Sequence, residues 1–261
     1  MTSYEYIQYH VADRVAWITF HRDEKLNAMN LRMMLEIIQA LEAVDRADPV
    51  DVAVCVLTGQ GRAFMAGADI AEYARATLET FREFQINGRL IYSGIERNSK
   101  PVIAAINGPA FGGGFEIALA CDMLVACKGV VMGLPEIKLN LIPGGGGTQR
   151  LVKKIGLNLA NELLMTGRSA TAEELQKAGL INHVFEKDSF ISEVTSFAQS
   201  IAIMAPDRLQ AVKLLTQLSA GSISSAAQDM EIVHLLRFYQ SSEGQKSIQE
   251  FYERSKKRKN G

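Results

Sequence analysis

Cysteine, histidine and net charge are all scarce in this chain, and each shortage closes off a class of function. Only three cysteines occur in 261 residues, Cys55, Cys121 and Cys127. They lie singly in apolar, strand-like runs with no Cys-x-x-Cys pair, so buried reduced thiols are expected rather than a disulfide framework or a zinc site. The four histidines, His10, His21, His183 and His234, form no His-x-x-x-His or Cys-His cluster, and no metal site is expected. A formal net charge of −1 offers no global attraction to nucleic acid or to a membrane surface, so any ligand must be held by a local site. No run approaches the ~18 continuous apolar residues that span a bilayer. The N-terminal Met1-Thr-Ser-Tyr-Glu-Tyr-Ile7 has neither a basic region ahead of an apolar one nor an Arg-rich amphipathic pattern, and a cytoplasmic protein is expected. Three signatures of nucleotide binding and nucleophilic catalysis are missing too. Gly108 to Gly114 does not spell Gly-x-Gly-x-x-Gly, Gly144 to Arg150 lacks the Lys-Ser/Thr of a phosphate loop, and no Gly-x-Ser-x-Gly occurs.

What the chain does have is enough length for one large core and a repeated pattern of apolar strand, loop and helix. Val15–Phe20 reads as a strand that pairs with the stretch Tyr4 to Tyr9 across a turn at Ala12-Asp13-Arg14. Asn30 is placed to cap a helix with apolar residues Leu31, Met34, Leu35, Ile38 and Leu41, which must stop before Pro49. Val52–Leu57 is apolar on both faces, as a strand buried in a parallel sheet should be. A loop from Gly59 to Asp69 leads into a long helical region ending near Asn98. The pattern returns with a strand at 101–106, a glycine loop, a helix and the apolar run Met123 to Ala126. Such repeats predict an α/β fold with parallel strands. From Thr148 helix signals dominate, apart from a short apolar run at Leu180 to Phe185, and Pro206 opens a segment that reads as helical to about Lys257. The expected organisation is a β/α core over residues 1–200 and a helical part over 201–261.

The segment Gly108-Pro-Ala-Phe-Gly-Gly-Gly-Phe-Glu116 carries the chemistry. A strand feeds a glycine loop, which opens a helix with Glu116 in its first turn. A helix N-terminus leaves backbone N–H groups unpaired and carries partial positive charge, and glycines let a ligand approach that backbone. The site can stabilise negative charge developing on an oxygen while Glu116 moves a proton beside it. Taken alone, the segment equally fits a tight turn with a helix-capping acid. A second glycine-bearing loop, Gly59 to Asp69, also follows a buried strand, so both can face the crevice at the carboxyl ends of the sheet. A second acid stands in Gly133-Leu-Pro-Glu136, just ahead of Ile142-Pro-Gly-Gly-Gly-Gly-Thr-Gln-Arg150. Paired carboxylates beside two convergent amides suit proton transfer next to a thioester carbonyl.

Those stretches, with Lys25-Leu-Asn-Ala-Met-Asn30, Ala63-Phe-Met-Ala-Gly-Ala-Asp-Ile70 and Lys100-Pro-Val-Ile-Ala-Ala-Ile-Asn-Gly108, resemble the enoyl-CoA hydratase/isomerase (crotonase) superfamily along nearly the whole chain. The resemblance implies a spiral core of repeated ββα turns, a helical C-terminal trimerisation region, and a homo-oligomer, a trimer or a hexamer built as a dimer of trimers. It implies a coenzyme A thioester substrate, with no cofactor beyond the coenzyme A the substrate carries. The thioester oxygen would accept from the backbone N–H groups of Ala68 and Gly113, and Glu116 and Glu136 match the two catalytic glutamates of the hydratase branch. Ala28, Ala66 and Ile70 match positions that line the CoA and acyl path, and Gly67, Asp69 and Gly112 stand beside the amides in the same motifs. The implied activity is hydration of a 2-enoyl-CoA. An isomerase or another acyl-CoA lyase of this fold, or a non-catalytic binding or assembly subunit, are the alternatives. The chain departs from the family's habits at His21-Arg22-Asp23, at Met132 where an aromatic is common, at Gly145 where a small non-glycine residue is common, and in the basic tail Ser255 to Lys259. Arg62 is read as either a CoA phosphate contact or a surface residue, Met65 and Phe111 as tunnel or core, and Trp17 as core.

Overall fold

The computed structural model describes residues 4–218 and five isolated positions, 233, 237, 241, 242 and 246. In chain order the elements are β1 (Ile7–Ala12), β2 (Val15–Phe20), α1 (Leu31–Arg46), β3 (Val54–Gly59), α2 (Ile70–Arg75), α3 (Leu78–Arg97), β4 (Val102–Ile106), β5 (Ala110–Phe111) and α4 (Gly113–Ala120). They continue with β6 (Met123–Cys127), β7 (Val131–Gly133), α5 (Gly147–Ile155), α6 (Leu157–Thr166), β8 (Ala170–Thr171), α7 (Ala172–Lys177), β9 (His183–Phe185), α8 (Phe190–Ala202) and α9 (Pro206–Leu218). The fold is α/β. One sheet has the order β1-β2-β3-β4-β6-β9, parallel except for the β1/β2 pair, and a second has the order β5-β7-β8.

Strand alternation divides the large sheet into two buried faces, because successive side chains point to opposite sides. Ala16, Ile18, Phe20, Cys55, Leu57, Ala104 and Ile106 join Met33, Met34, Ile37, Ile91 and Ile95 of α1 and α3 in one core. Val15, Trp17, Val54, Val56, Ile103, Ala105 and Val125 pack with Phe190, Val194 and Ala198 of α8 in the other. Trp17 is therefore a core residue, and all three cysteines are buried and outside any disulfide. No described helix is long and apolar enough to cross a membrane.

Local chemistry moves several elements from where periodicity alone puts them. The β1/β2 turn holds Asp13 and Arg14 at φ +49° and +64°, the two-residue geometry that matches the twist of a hairpin. It pairs Ala12 with Val15 and Ile7 with Phe20, so β1 starts later than expected. Upstream, the amides of Glu5 and Tyr6 donate to the buried Glu36 carboxylate at 3.0 and 2.7 Å instead of to a strand. Asn30 caps α1 as its sequence requires, accepting from the Met33 amide at 2.8 Å, a contact worth about 1 kcal/mol. The buried face of that helix is Met33, Met34, Ile37, Ala40, Leu41 and Val44, with Leu35 turned outward. The helical region expected up to Asn98 is two helices, α2 and α3, because Thr77 and Thr80 form a reciprocal capping box that starts α3 afresh.

One compact unit runs to Pro206 and a second begins at Asp207. In the second, α9 carries Val212, Leu214 and Leu218 exposed. The helical reading toward Lys257, including Ile232, Leu235, Leu236, Phe238 and the basic tail, lies outside the described residues.

Candidate active site

Three backbone stretches converge at the carboxyl ends of β2, β3 and β4. The first is the loop after β2, where the buried Asn27 side chain donates to the carbonyls of Gln60, Ala63 and Phe64 at 3.0, 2.8 and 3.2 Å and accepts from Arg22 N–H at 2.9 Å. That knot holds Leu26 and Asn27 in left-handed conformations and lays residues 26–29 alongside 66–69. The Ala66 amide bonds Leu26 C=O at 3.0 Å, the Met29 amide bonds Gly67 C=O at 2.8 Å, and the Asp69 amide bonds Met29 C=O at 2.8 Å. In such an extended bridge alternate residues direct their polar groups to opposite sides. The Ala68 N–H therefore points away from residues 26–29.

The third stretch is the glycine loop. Phe111 N–H bonds Met65 C=O and Gly112 N–H bonds Gly133 C=O, both at 3.0 Å, which ties the loop between the first loop and β7. Gly112 has φ +51° and ψ −127°, and Gly67 has φ +104°, both strained for any side chain. A Cβ at Gly67 would lie 3.1 Å from the Phe111 carbonyl, and one at Gly112 would lie 3.8 Å from the Gly67 Cα, so the two loops touch at their glycines. Gly113 then opens α4, where a first-turn N–H has no intrahelical acceptor. Neither the Ala68 nor the Gly113 amide has a hydrogen-bond acceptor among the described residues.

Ala68 and Gly113 line a cavity of about 360 Å³ that also takes in Ala66, Gly67, Ile70, Gly112, Glu116 and Glu136. Its remaining wall is mostly apolar and comes from Met29 and Met34, from Phe81, Phe84, Gly88 and Tyr92 of α3 with the polar Gln85 among them, and from Leu139, Leu141 and Ile142. Phe111 lines it as well, whereas Met65 is fully buried core. Of the positions the sequence singled out, Ala28 and Asp69 stand outside this wall. Ala28 C=O accepts from Arg22 at 2.8 Å, and Asp69 pairs with the same guanidinium at 2.8 Å. Arg62 is exposed and lines neither the cavity nor its neighbour. The neighbouring cleft, of about 560 Å³, shares Phe81 and Phe84 with the cavity and is edged by Arg22, Lys25 and Arg75 and by Asp69, Glu72 and Glu83.

The two carboxylates sit in different surroundings. Glu116 is 3% exposed, and its Oε1 accepts from the amides of Gly145 and Gly147, each at 2.8 Å. The Tyr92 hydroxyl donates to its Oε2 at 3.5 Å. Burial pushes its pKa up, while the Gly147 and Gly145 amides, the Arg150 charge and the Tyr92 hydroxyl oppose the rise. Glu136 stands in a single turn of 3₁₀-helix, Pro135–Leu139, with Pro135 at its first position. Its carboxylate lies over Gly112, where a Cβ would be 3.2 Å from Oε1. Its Oε2 is buried with no hydrogen-bond partner among the described residues. Burial, with the nearby Glu116 charge adding to it, pushes the Glu136 pKa up to about 7. Two acids beside two donor amides, in a largely apolar chamber, can transfer protons next to a carbonyl whose oxygen gains charge. Among the described residues no group of three or more His, Cys, Asp or Glu is placed to hold a metal ion.

The profile of the enoyl-CoA hydratase/isomerase family matches residues 10–260. The chain belongs to that family. It is 38% identical over 229 residues to the 2,3-dehydroadipyl-CoA hydratase of Escherichia coli, covering 85% of this chain and 87% of that protein. It is 38% identical over 200 residues to the crotonyl-CoA hydratase of Syntrophomonas wolfei, covering 76% of each. The crystal structure of an enoyl-CoA hydratase from Bacillus anthracis superposes with a TM-score of 0.90 at 32% identity, over 96% of this chain and 97% of that one. The crotonase fold is thereby that of this chain.

The α3 wall escaped sequence reasoning. Phe81, Gly88 and Tyr92 fall near one helical face at intervals of seven and four, a stripe that reads as ordinary core until the glycine loop is seen beside it. The Arg22–Asp69 pair joins residues far apart in sequence and has no local signature.

Proposed function

We propose that the protein hydrates a 2-enoyl-CoA thioester to a 3-hydroxyacyl-CoA. The observation that carries this reading is the meeting of two acids, Glu116 and Glu136, and two acceptor-less amides, Ala68 and Gly113, in one apolar cavity. The thioester oxygen lies between the two amides and the enoyl chain runs along the apolar wall. A water between the carboxylates gives its proton to ionised Glu116 as its oxygen bonds Cβ. The electron pair of the double bond moves toward the thioester, whose oxygen takes up charge against the Ala68 and Gly113 N–H groups. Protonated Glu136 then supplies a proton to Cα, after which the two acids return to their starting states by proton exchange. A pKa near 7 keeps Glu136 partly protonated at neutral pH, whereas on Glu116, which burial also pushes up, the two amides oppose that rise and favour the charged form.

The neighbouring cleft carries acids, Asp69, Glu72 and Glu83, as well as bases; Arg22 is paired with Asp69, which leaves Lys25 and Arg75 as the side chains that suit the phosphates of coenzyme A, and Phe81 and Phe84 lie where the two chambers adjoin. Ala28, Ala66, Gly67, Asp69, Ile70 and Gly112 then serve as the substrate path or its support. The test is a panel of 2-enoyl-CoA thioesters differing in length and branching, followed by loss of the conjugated-thioester absorbance at nanomolar enzyme. At least one member is expected to turn over rapidly. No turnover of any member, with the protein folded and binding coenzyme A, counts against the reading.

The assembly proposed is a trimer or hexamer. Ile137, Leu157 and Met165 in the first unit, and Val212 and Leu218 in the second, leave large apolar side chains exposed on a single chain. Sedimentation velocity at micromolar concentration is expected to give a trimer or hexamer, and a stable monomer would refute it.

A further inference from the structure

The oxygen of Glu116 that the two amides do not hold faces Tyr92, a buried residue whose ring also lines the cavity. Two further neighbours, Gly145 and Arg150, fix that ring. A Cβ at Gly145 would overlap its Cε2, Cζ and hydroxyl, so the ring occupies the volume a side chain at 145 would need. The Arg150 guanidinium lies 5.5 Å from the ring centroid. Arg150 is in turn paired with Glu96, one turn beyond Tyr92 on α3, at 2.7 and 3.0 Å, and it donates to the Gly145 carbonyl. Gly145 thus gives its N–H to Glu116, its C=O to Arg150 and its open face to Tyr92, which clamps the loop 143–147 onto α3.

Resting on the hydratase reading, we propose that Tyr92 is a positioning residue for Glu116, whose hydroxyl orients the carboxylate's second oxygen toward the reacting water, and that glycine at 145 is the counterpart its ring requires. The charged and titratable groups around Glu116 are Tyr92 from α3, Glu136 from the 3₁₀ turn and Arg150 from α5, the last paired with Glu96, and among the described residues only Tyr92 and the two amides bond it directly. The hydroxyl stabilises the ionised form, so its removal makes Glu116 easier to protonate. The acid limb of kcat/KM moves to higher pH, with a fall in kcat of about ten-fold at neutral pH.

The experiment compares wild type, Tyr92→Phe and Gly145→Ala. Tyr92→Phe keeps the ring and its packing, so thioester binding should hold while the acid limb rises. Gly145→Ala should lose stability and activity by displacing the ring, and Tyr92→Leu in the Gly145→Ala background should recover stability without recovering the wild-type pH profile. Infrared titration of the carboxyl band absent from Glu116→Gln reads the same protonation without turnover. If wild type hydrates no enoyl thioester but this band moves upward in Tyr92→Phe, the hydratase reading falls and the positioning role stands. A Tyr92→Phe enzyme with wild-type kcat, acid limb and carboxyl band overturns the proposal.

Discussion

Glu136→Gln is expected to fold, bind the thioester and lose hydration by roughly 10²–10⁴-fold, the loss typical of a missing acid–base group. The amide keeps the shape of the side chain over Gly112 but has no proton to give at Cα. Glu116→Gln is expected to lose as much by the opposite route, because its amide cannot accept the proton of the water. The first substitution carries a second signature, read in stability rather than in turnover. Folding raises the Glu136 pKa from 4.5 to about 7, so the folded chain holds this proton more tightly than the unfolded one. Stability contributed at this site is therefore highest below pH 4.5 and declines as pH rises toward 7. A glutamine side chain cannot ionise, so the Glu136→Gln variant should melt above wild type at about pH 8, with the gap closing as the pH falls to the unfolded-chain value. Thermal melts at both ends, alongside kcat at neutral pH, check the pair of outcomes. Near-wild-type turnover in either variant would show that the carboxylates do not share the work.

Gly113→Pro is expected to cut kcat by roughly 10²–10³-fold, the loss of one oxyanion donor. Proline is well tolerated at the first position of a helix, where its missing N–H is one that the helix leaves unpaired anyway. A Cβ at 113 would meet the flexible end of Met29 at 3.2 Å and the Tyr92 hydroxyl at 3.4 Å, so the ring needs only a small adjustment there. The stability cost should accordingly be modest and the catalytic cost large. Circular dichroism with thioester titration separates the two, and a folded variant with full turnover would remove Gly113 from the oxyanion role.

Much of this arrangement is legible in the chain because short motifs carry local instructions. Asn30 sits where an Asx cap must, the doubly apolar run Val52–Leu57 reads as a buried parallel strand, and Gly112 to Glu116 read as a loop opening a helix. The structure keeps each of these, with β3 lying at Val54–Gly59. What sequence missed has non-local causes. β5, β7 and β8 are two or three residues long, too short for alternation to show, and exist because the glycine loop pairs with Val131–Gly133. The shift of β1 depends on Glu36, some thirty residues away, taking two amides. The α3 wall depends on which side of that helix meets the loops, and the place of Tyr92 depends on a glycine at 145.

The central claim is that the paired glutamates add water across the double bond. It is tested most directly by turning over an accepted 2-enoyl-CoA in H₂¹⁸O, and separately in D₂O, and reading the product by mass spectrometry. A 3-hydroxyacyl-CoA carrying ¹⁸O at C3, and one deuterium at Cα from D₂O, is the expected result, with both signals lost in Glu116→Gln and Glu136→Gln. A product without ¹⁸O, whose double bond has only migrated, would contradict the account.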